Sequence, residues 1–320
     1  MKDSPNPVAG EDYPRTYQQF LSWFADEKDC RSYLLKCRWP HGFECAHCGW
    51  LGEPWTTARG YLHCQRCGSE TSVTAGTMFD RTRMPLRTWY AAIWFLMSQK
   101  DGASALGLQR VLGFGSYQTA WTWLHKMRRA MVRPDRERLS GKVEVDETYV
   151  GGFQPGDTPG RGGERRSIVV IAVETHEPKG FGRVRMRRVA DASGDSLMPF
   201  VSDVVEKGSE ILTDGWKGYN RLTRLGYTHK PTAVSSSGDP AHVSMPAVHR
   251  VAALLKRWLL GTHQGAVSAK HLDYYLDEYT FRFNRRSARS RGLLFYRLLQ
   301  QAANTAPVSF CQIVGDDHNG

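Results

Sequence analysis

The sequence predicts an α/β protein in which a mixed sheet flanked by helices follows a small metal-binding unit and a helical region. Three observations carry that expectation. Residues 143–150, VEVDETYV, alternate apolar and polar side chains as a strand does, yet hold acids at Asp146 and Glu147. Two Cys-x2-Cys pairs, ECAHCGW and HCQRCGS, stand fifteen residues apart. Apolar residues also recur at helical spacing before the strand and again beyond residue 248.

The bulk properties set bounds. A chain of 320 residues has room for two or three domains with a buried core. Its 41% hydrophobic and 23% charged content is ordinary for a globular protein. No run approaches the roughly 18 apolar residues of a membrane span, and the start, MKDSPNPVAG, lacks the apolar region of a signal peptide. The expectation is a cytoplasmic, nucleoid-associated protein with no membrane partner. A net charge of +11 points to a polyanion, and to nucleic acid in particular.

Residues 1–40 read as a helical lead-in, FLSWFADEKDCRSYLLKCRW spacing its aromatic and aliphatic side chains at helical intervals. Residues 41–80 form the cysteine unit. Each Cys-x2-Cys places two thiolates on a tight knuckle, with Gly49 and Gly68 supplying the turn. Two knuckles brought together give the tetrahedral sulfur set that suits zinc. Cys45, Cys48, Cys64 and Cys67 fill all four positions, so the expected zinc is structural and His47 and His63 are not needed. Cys30, Cys37 and Cys311 lack such spacing and read as buried free thiols. Residues 81–132 are helical: Pro85 opens PLRTWYAAIWFLMSQ, and GASALGLQRVLGF and SYQTAWTWLHKMRRAM follow, with Ser116 as N-cap of the latter. The last two have the outline of a helix-turn-helix. Tyr117, Gln118 and Thr119 would open its recognition helix, with Arg128 and Arg129 in reach of phosphates. The other reading is an ordinary helical hairpin packed through Trp121 and Trp123.

A charged linker, 133–142, leads to a domain expected over 143–303, followed by a tail, 304–320. Its first strands are Val143–Val150, Ser167–Thr175 and Gly182–Val189, with a Gly-rich basic loop between the first two. A helix from near Ser196, a strand ending at Asp214, a small helix KGYNRLTRLG and a strand YTHKPTAV come next. Helices Val248–Leu260, His271–Phe283 and Leu293–Ala303 close the domain. That order is the order of a ribonuclease-H-like fold. There the first strand is central and the fourth ends beside it, so Asp146 and Asp214 converge. An ionised carboxylate is costly to bury unless paired or metal-bound. Two together hold a divalent cation such as Mg2+, and a metal pair serves phosphodiester transfer. Glu147 points to the opposite face of the strand and reads as structural, pairing with a basic residue.

VEVDETYVGG, LTDGWKGYN and LLKRWLLGTHQGAVSAKHLDYYLDEYTFRFNRR resemble the DDE transposases of bacterial insertion sequences, in the ISXO-type group with an N-terminal zinc ribbon. The resemblance runs from the cysteine knuckles to FRFNRR. It implies a DNA transposase that binds terminal inverted repeats and cuts and rejoins double-stranded DNA. It also implies a homo-oligomer acting on element ends and target. Asp146 and Asp214 carry over as the first two catalytic acids and as ligands of Mg2+ or Mn2+. The third position departs from the pattern. Such an enzyme carries an acid, or Asn in some relatives, on the helix after the last strand, and this chain has His249 there. His249 and Lys256 lie seven residues apart, about two turns on one helix face. That spacing resembles the acid and DNA-contacting Lys of many DDE enzymes. Imidazole suits Mn2+ or proton transfer better than Mg2+. Asp239 and Glu278 are the alternatives for the third position. Lys256, Arg257, Arg285 and Arg286 complete the expected DNA contacts, although FRFNRRSARSRG also reads as a solvated helix end. Two other functions fit the residues: a non-catalytic zinc-dependent DNA-binding protein derived from a transposase, and a ribonuclease-H-like nuclease.

Overall fold

The computed structural model describes residues 6–133, 135–151, 166–176, 180–232, 245–264 and 267–315. The chain forms two compact units, residues 1–133 with 288–320 and residues 134–287.

The first unit opens with α1 (Tyr17–Trp23) and α2 (Glu27–Arg38). The side chains of Thr16 and Asp26 cap them by accepting from the amides of Gln19 and Asp29. Five two-residue strands follow: β1 (Phe43–Glu44), β2 (Leu51–Gly52), β3 (Trp55–Thr56), β4 (Leu62–His63) and β5 (Glu70–Thr71). β1 pairs with β2, and β3, β4 and β5 form an antiparallel sheet. Next come α3 (Leu86–Ser98), α4 (Ala105–Leu112) and α5 (Tyr117–Arg129). α3 has no cap of its own. Glu27 provides one, accepting from the amides of Leu86 at 2.9 Å and Arg87 at 3.3 Å. Ser116 caps α5 as expected, accepting from the Gln118 amide at 3.1 Å. Trp123 is buried and stacks flat on Trp89 of α3 with ring centroids 3.4 Å apart, so packing fixes α5.

The second unit is a single five-stranded sheet. Its strands are β6 (Lys142–Val150), β7 (Ser167–Thr175), β8 (Phe181–Val189), β9 (Glu210–Thr213) and β10 (Thr228–Pro231), in the order β10-β9-β6-β7-β8. β6, β7 and β8 are antiparallel neighbours, whereas β9 runs parallel to both β6 and β10. An antiparallel meander joined to two parallel strands, with the first strand in the centre, is the ribonuclease-H-like arrangement. α6 (Gly194–Val204) covers one face, packing Leu197, Phe200 and Val201 against Val143, Val145 and Ala172. α7 (Pro246–His263) and α8 (Leu272–Phe283) cover the other, over Val169, Ile171 and Val173. Burying each such aliphatic or aromatic side chain contributes about 1.5–3 kcal/mol relative to exposure. The expected small helix after β9 is two short 3-10 turns, Lys217–Tyr219 and Thr223–Leu225. Gly218 lies within the first turn, and Gly226, at φ +91°, ends the second.

The chain then returns to the first unit. α9 (Arg291–Ala303) was expected with the sheet, but it packs on α2 and α3. Its Phe295 enters an aromatic cluster of Phe20, Phe24, Tyr90 and Trp94, with centroids 5.5–5.8 Å away. Gly292 is required there, because a Cβ would lie 1.7 Å from the carbonyl oxygen of Pro14. A short helix, α10 (Phe310–Val314), occupies the expected tail. Cys30 and Cys37 are buried as expected, but Cys311 is exposed on α10, whose buried side is Ile313.

Candidate functional site

The two cysteine knuckles have the same backbone. Gly49 and Gly68 adopt left-handed φ of +66° and +74°, and their amides donate to the carbonyls of Cys45 and Cys64 at 2.8 and 2.9 Å. All four Sγ atoms lie within 4.8 Å of one another, with Cys45–Cys67 at 3.8 Å and Cys48–Cys64 at 3.7 Å. Tetrahedral Zn–S bonds of about 2.3 Å place sulfurs roughly 3.8 Å apart, so the quartet fits zinc. The Ser69 hydroxyl sits 3.1 Å from Cys67 Sγ and 3.4 Å from Cys45 Sγ, and it lowers both thiols toward thiolate. His63 packs at a tilt against Trp55 and stands 3.8 Å from Glu70, outside the sulfur set.

The acidic corner is built by strand register. β6 and β9 pair Val143 with Ile211 and Glu144 with Leu212. Two residues further on lie Asp146, still on β6, and Asp214, one residue past the end of β9, and the Asp214 charge reaches the Asp146 carboxyl. Asp146 lies on the α7 face, paired with Ile171, which packs under α7. The Asp146 and Asp214 carboxylates are oriented locally, each accepting a nearby amide at 2.9 Å, that of Glu147 and that of Trp216 respectively. Burial, then the charges of Glu147 and Asp214, push the Asp146 carboxyl up to about 7. His249, in the first turn of α7, puts Nδ1 3.8 Å from Asp146 Oδ2. His249 and the Asp214 charge thus both act on Asp146. Among the described residues, the cysteine quartet is the one group of three or more His, Cys, Asp or Glu whose ligand atoms all close to within 4.8 Å.

The alternatives for the third position fare differently. Asp239 lies outside the described residues. Glu278 is fully buried on α8, where Oε1 accepts from Arg282 Nε at 2.8 Å, an ion pair that already neutralises it. Glu147 faces away from Asp146 along the strand, as alternation requires. Its partner is not a basic residue: Tyr219, itself buried, donates its hydroxyl to Glu147 Oε2 at 2.7 Å. Glu144 was missed by the sequence reading. It is buried two residues before Asp146, and its Oε2 accepts from the amides of Ala247 and Val248. Its only signal in sequence was alternation, which puts it on Asp146's side of the strand.

Residues 138–284 match the ISXO2-like transposase domain, and residues 25–70 match the transposase zinc-ribbon domain. This chain carries an ISXO2-like transposase domain behind a transposase zinc ribbon. An uncharacterized protein in transposable element ISH50 of Halobacterium salinarum is 25% identical over 282 residues, covering 82% of this chain and 92% of that protein. The crystal structure of a pre-cleavage Mos1 transpososome is similar over 72% of this chain and 79% of that one, at 14% identity and a TM-score of 0.26. A score that low leaves the fold to rest on the sheet order. The ISXO2-like domain ends close to the second compact unit and stops short of α9.

The expected phosphate contacts around the ISXO2-like domain and the helical region divide sharply. Lys256 and Arg257 are exposed on α7. Arg129 is exposed at the end of α5, but Arg128 is only 1% exposed and is not available to phosphate. One helical turn after Leu124, Arg128 continues the buried stripe of α5. Arg285 lies over the Phe281 ring at 3.9 Å and donates to the Phe281 carbonyl. Arg286 lies over Phe283 and donates to the carbonyls of Gly182, Phe283 and Phe181, tying the end of α8 to β8. These two guanidiniums serve the fold before any phosphate. Residues 81–132 hold a single acid, Asp101, among their arginines and lysines, whereas in 41–80 the acids Glu44, Glu53, Glu70 and Asp80 outnumber Arg59 and Arg66. No helix among the described residues is long and apolar enough to cross a membrane.

Proposed function

We propose that the chain is a transposase that cuts DNA at the ends of its own insertion sequence and joins them to a target, with Asp146 and Asp214 holding the catalytic Mg2+ or Mn2+. The reading is supported by Asp146 on β6, the parallel neighbour of β9, and by the charge of Asp214, just past the end of β9, acting on its carboxyl. Like charges near one another at a half-buried position are unfavourable without a cation, and carboxylate oxygens suit a hard divalent ion. Such ions, when bound, activate the attacking oxygen and stabilise the leaving one. The chain's own groups do the rest. Asp146 and Asp214 present carboxylate oxygens, and His249 stands beside Asp146, placed for proton transfer or for a softer ion such as Mn2+.

DNA binding falls to the basic helices. Tyr117 and Gln118 are exposed at the start of α5, and Arg129 at its end, as a recognition helix needs. Lys256 and Arg257 hold the backbone near the acids. The zinc ribbon, where acids outnumber arginines, contributes less of the phosphate attraction. A homo-oligomer bridging two element ends fits this division. The paired acids disfavour a non-catalytic binder, and products separate a transposase from a nuclease, since only a transposase joins the ends to a target.

His249→Ala tests the third position. Cleavage of element-end DNA is expected to fall by about 10^2–10^4-fold, with end binding retained. Undiminished cleavage would remove His249 from the site.

A further inference from the structure

We infer that Glu144 is the positioning residue of the acidic corner: its buried carboxylate clamps the first turn of α7 onto β6 and thereby sets His249 against Asp146. The inference rests on the reading of His249 given above.

α7 begins without the means to satisfy its own first amides. Met245, at the N-cap position, offers no side-chain acceptor, and Pro246, at the first helical position, has no N–H. The first amides that need a partner are therefore those of Ala247 and Val248. Both donate to Glu144 Oε2, at 2.8 and 2.9 Å. Glu144 is 4% exposed and the two amide residues 1% each, so water cannot readily replace the carboxylate. A negative charge at this end of a helix also meets the positive end of its dipole.

Most helices here are capped by the residue just before them, as with Thr16, Asp26, Ser104, Ser116 and Ser193. The cap of α7 comes from 103 residues earlier in the chain. It therefore acts as a cross-link between strand and helix. Its two ends fall next to the chemistry. Glu144 is two residues before Asp146 on the same strand face, and His249 directly follows Val248. His249 Nδ1 approaches Asp146 Oδ2 to 3.8 Å. Groups that orient a reacting side chain without touching substrate commonly cost 10–100-fold when removed.

The test uses the full-length protein as Glu144→Ala and Glu144→Gln, each with and without His249→Ala. In metal-free protein, E144A should speed hydrogen exchange at the Ala247 and Val248 amides by about tenfold or more. The same variant should slow end cleavage by about 10–100-fold. E144Q keeps a carbonyl oxygen able to accept both amides, and it should recover most of that loss. In the H249A background, E144A should cause no further loss, because a residue acting only through His249 is non-additive with it. Equal losses in both backgrounds, or unchanged exchange at the two amides, would overturn the positioning role. Full cleavage by H249A alone would instead sink the reading of His249 and the positioning role with it, whatever the exchange rates.

Discussion

Replacing Asp146 or Asp214 by Asn is expected to slow cleavage of element-end DNA by roughly a thousandfold or more while end binding changes little. Several kcal/mol of metal-borne charge stabilisation disappear with either carboxylate, and each 1.36 kcal/mol is a factor of ten in rate. Asn is the informative substitution because it keeps the local hydrogen bonds. Its carbonyl oxygen can still accept from the amide of Glu147 at position 146, or of Trp216 at position 214. Only the charge goes. For Asp146 the effect on stability has a definite sign. Its carboxyl is raised to about 7, by burial first and by Glu147 and Asp214 second, so the folded protein disfavours the anion. Above pH 7, a neutral amide removes that unfavourable charge, and metal-free Asp146→Asn should melt at the same temperature or higher. Cleavage assays, end-binding titrations and melting curves on one preparation check all three. Loss of binding together with cleavage would show that the acids serve folding.

The second large effect concerns zinc. The ribbon has strands of only two residues and buries few apolar side chains, Phe43, Leu62 and Val73 among them. Such a core cannot offset the ordering entropy of about forty residues at about 1–2 kcal/mol each. Structural zinc contributes about 10–16 kcal/mol in small metal-folded units. Full-length protein should therefore carry one zinc per chain. Cys64→Ser or strong chelation should release it and open residues 41–80 to protease. Elemental analysis and limited proteolysis follow both steps. A ribbon that resists protease after losing its metal would contradict the account.

Local chemistry was the legible part of this sequence. β7 reads residue for residue from SIVVIAVET, because a short continuous β-branched apolar run with flanking polar groups is a local signal. The zinc quartet is legible for the same reason, since Cys-x2-Cys spacing is a property of one knuckle. Asp146 and Asp214 needed more, namely the strand order that sets β9 beside β6. What failed was long-range. The apolar stripe of α9 announces a partner but does not say that the partner is α2 and α3. Arg128 was read by its residue type, yet it sits on the buried stripe of α5. Glu144 reaching α7, and Tyr219 reaching Glu147, are contacts across 103 and 72 residues that no local pattern encodes.

The most direct measurement is anomalous scattering from Mn2+ in crystals of the full chain on element-end DNA. The account predicts a manganese peak with carboxylate oxygens of both Asp146 and Asp214 in its coordination shell, at about 2.1 Å. Manganese bound to only one of the two, or a pair of carboxylates turned away from any shared ion, would contradict it.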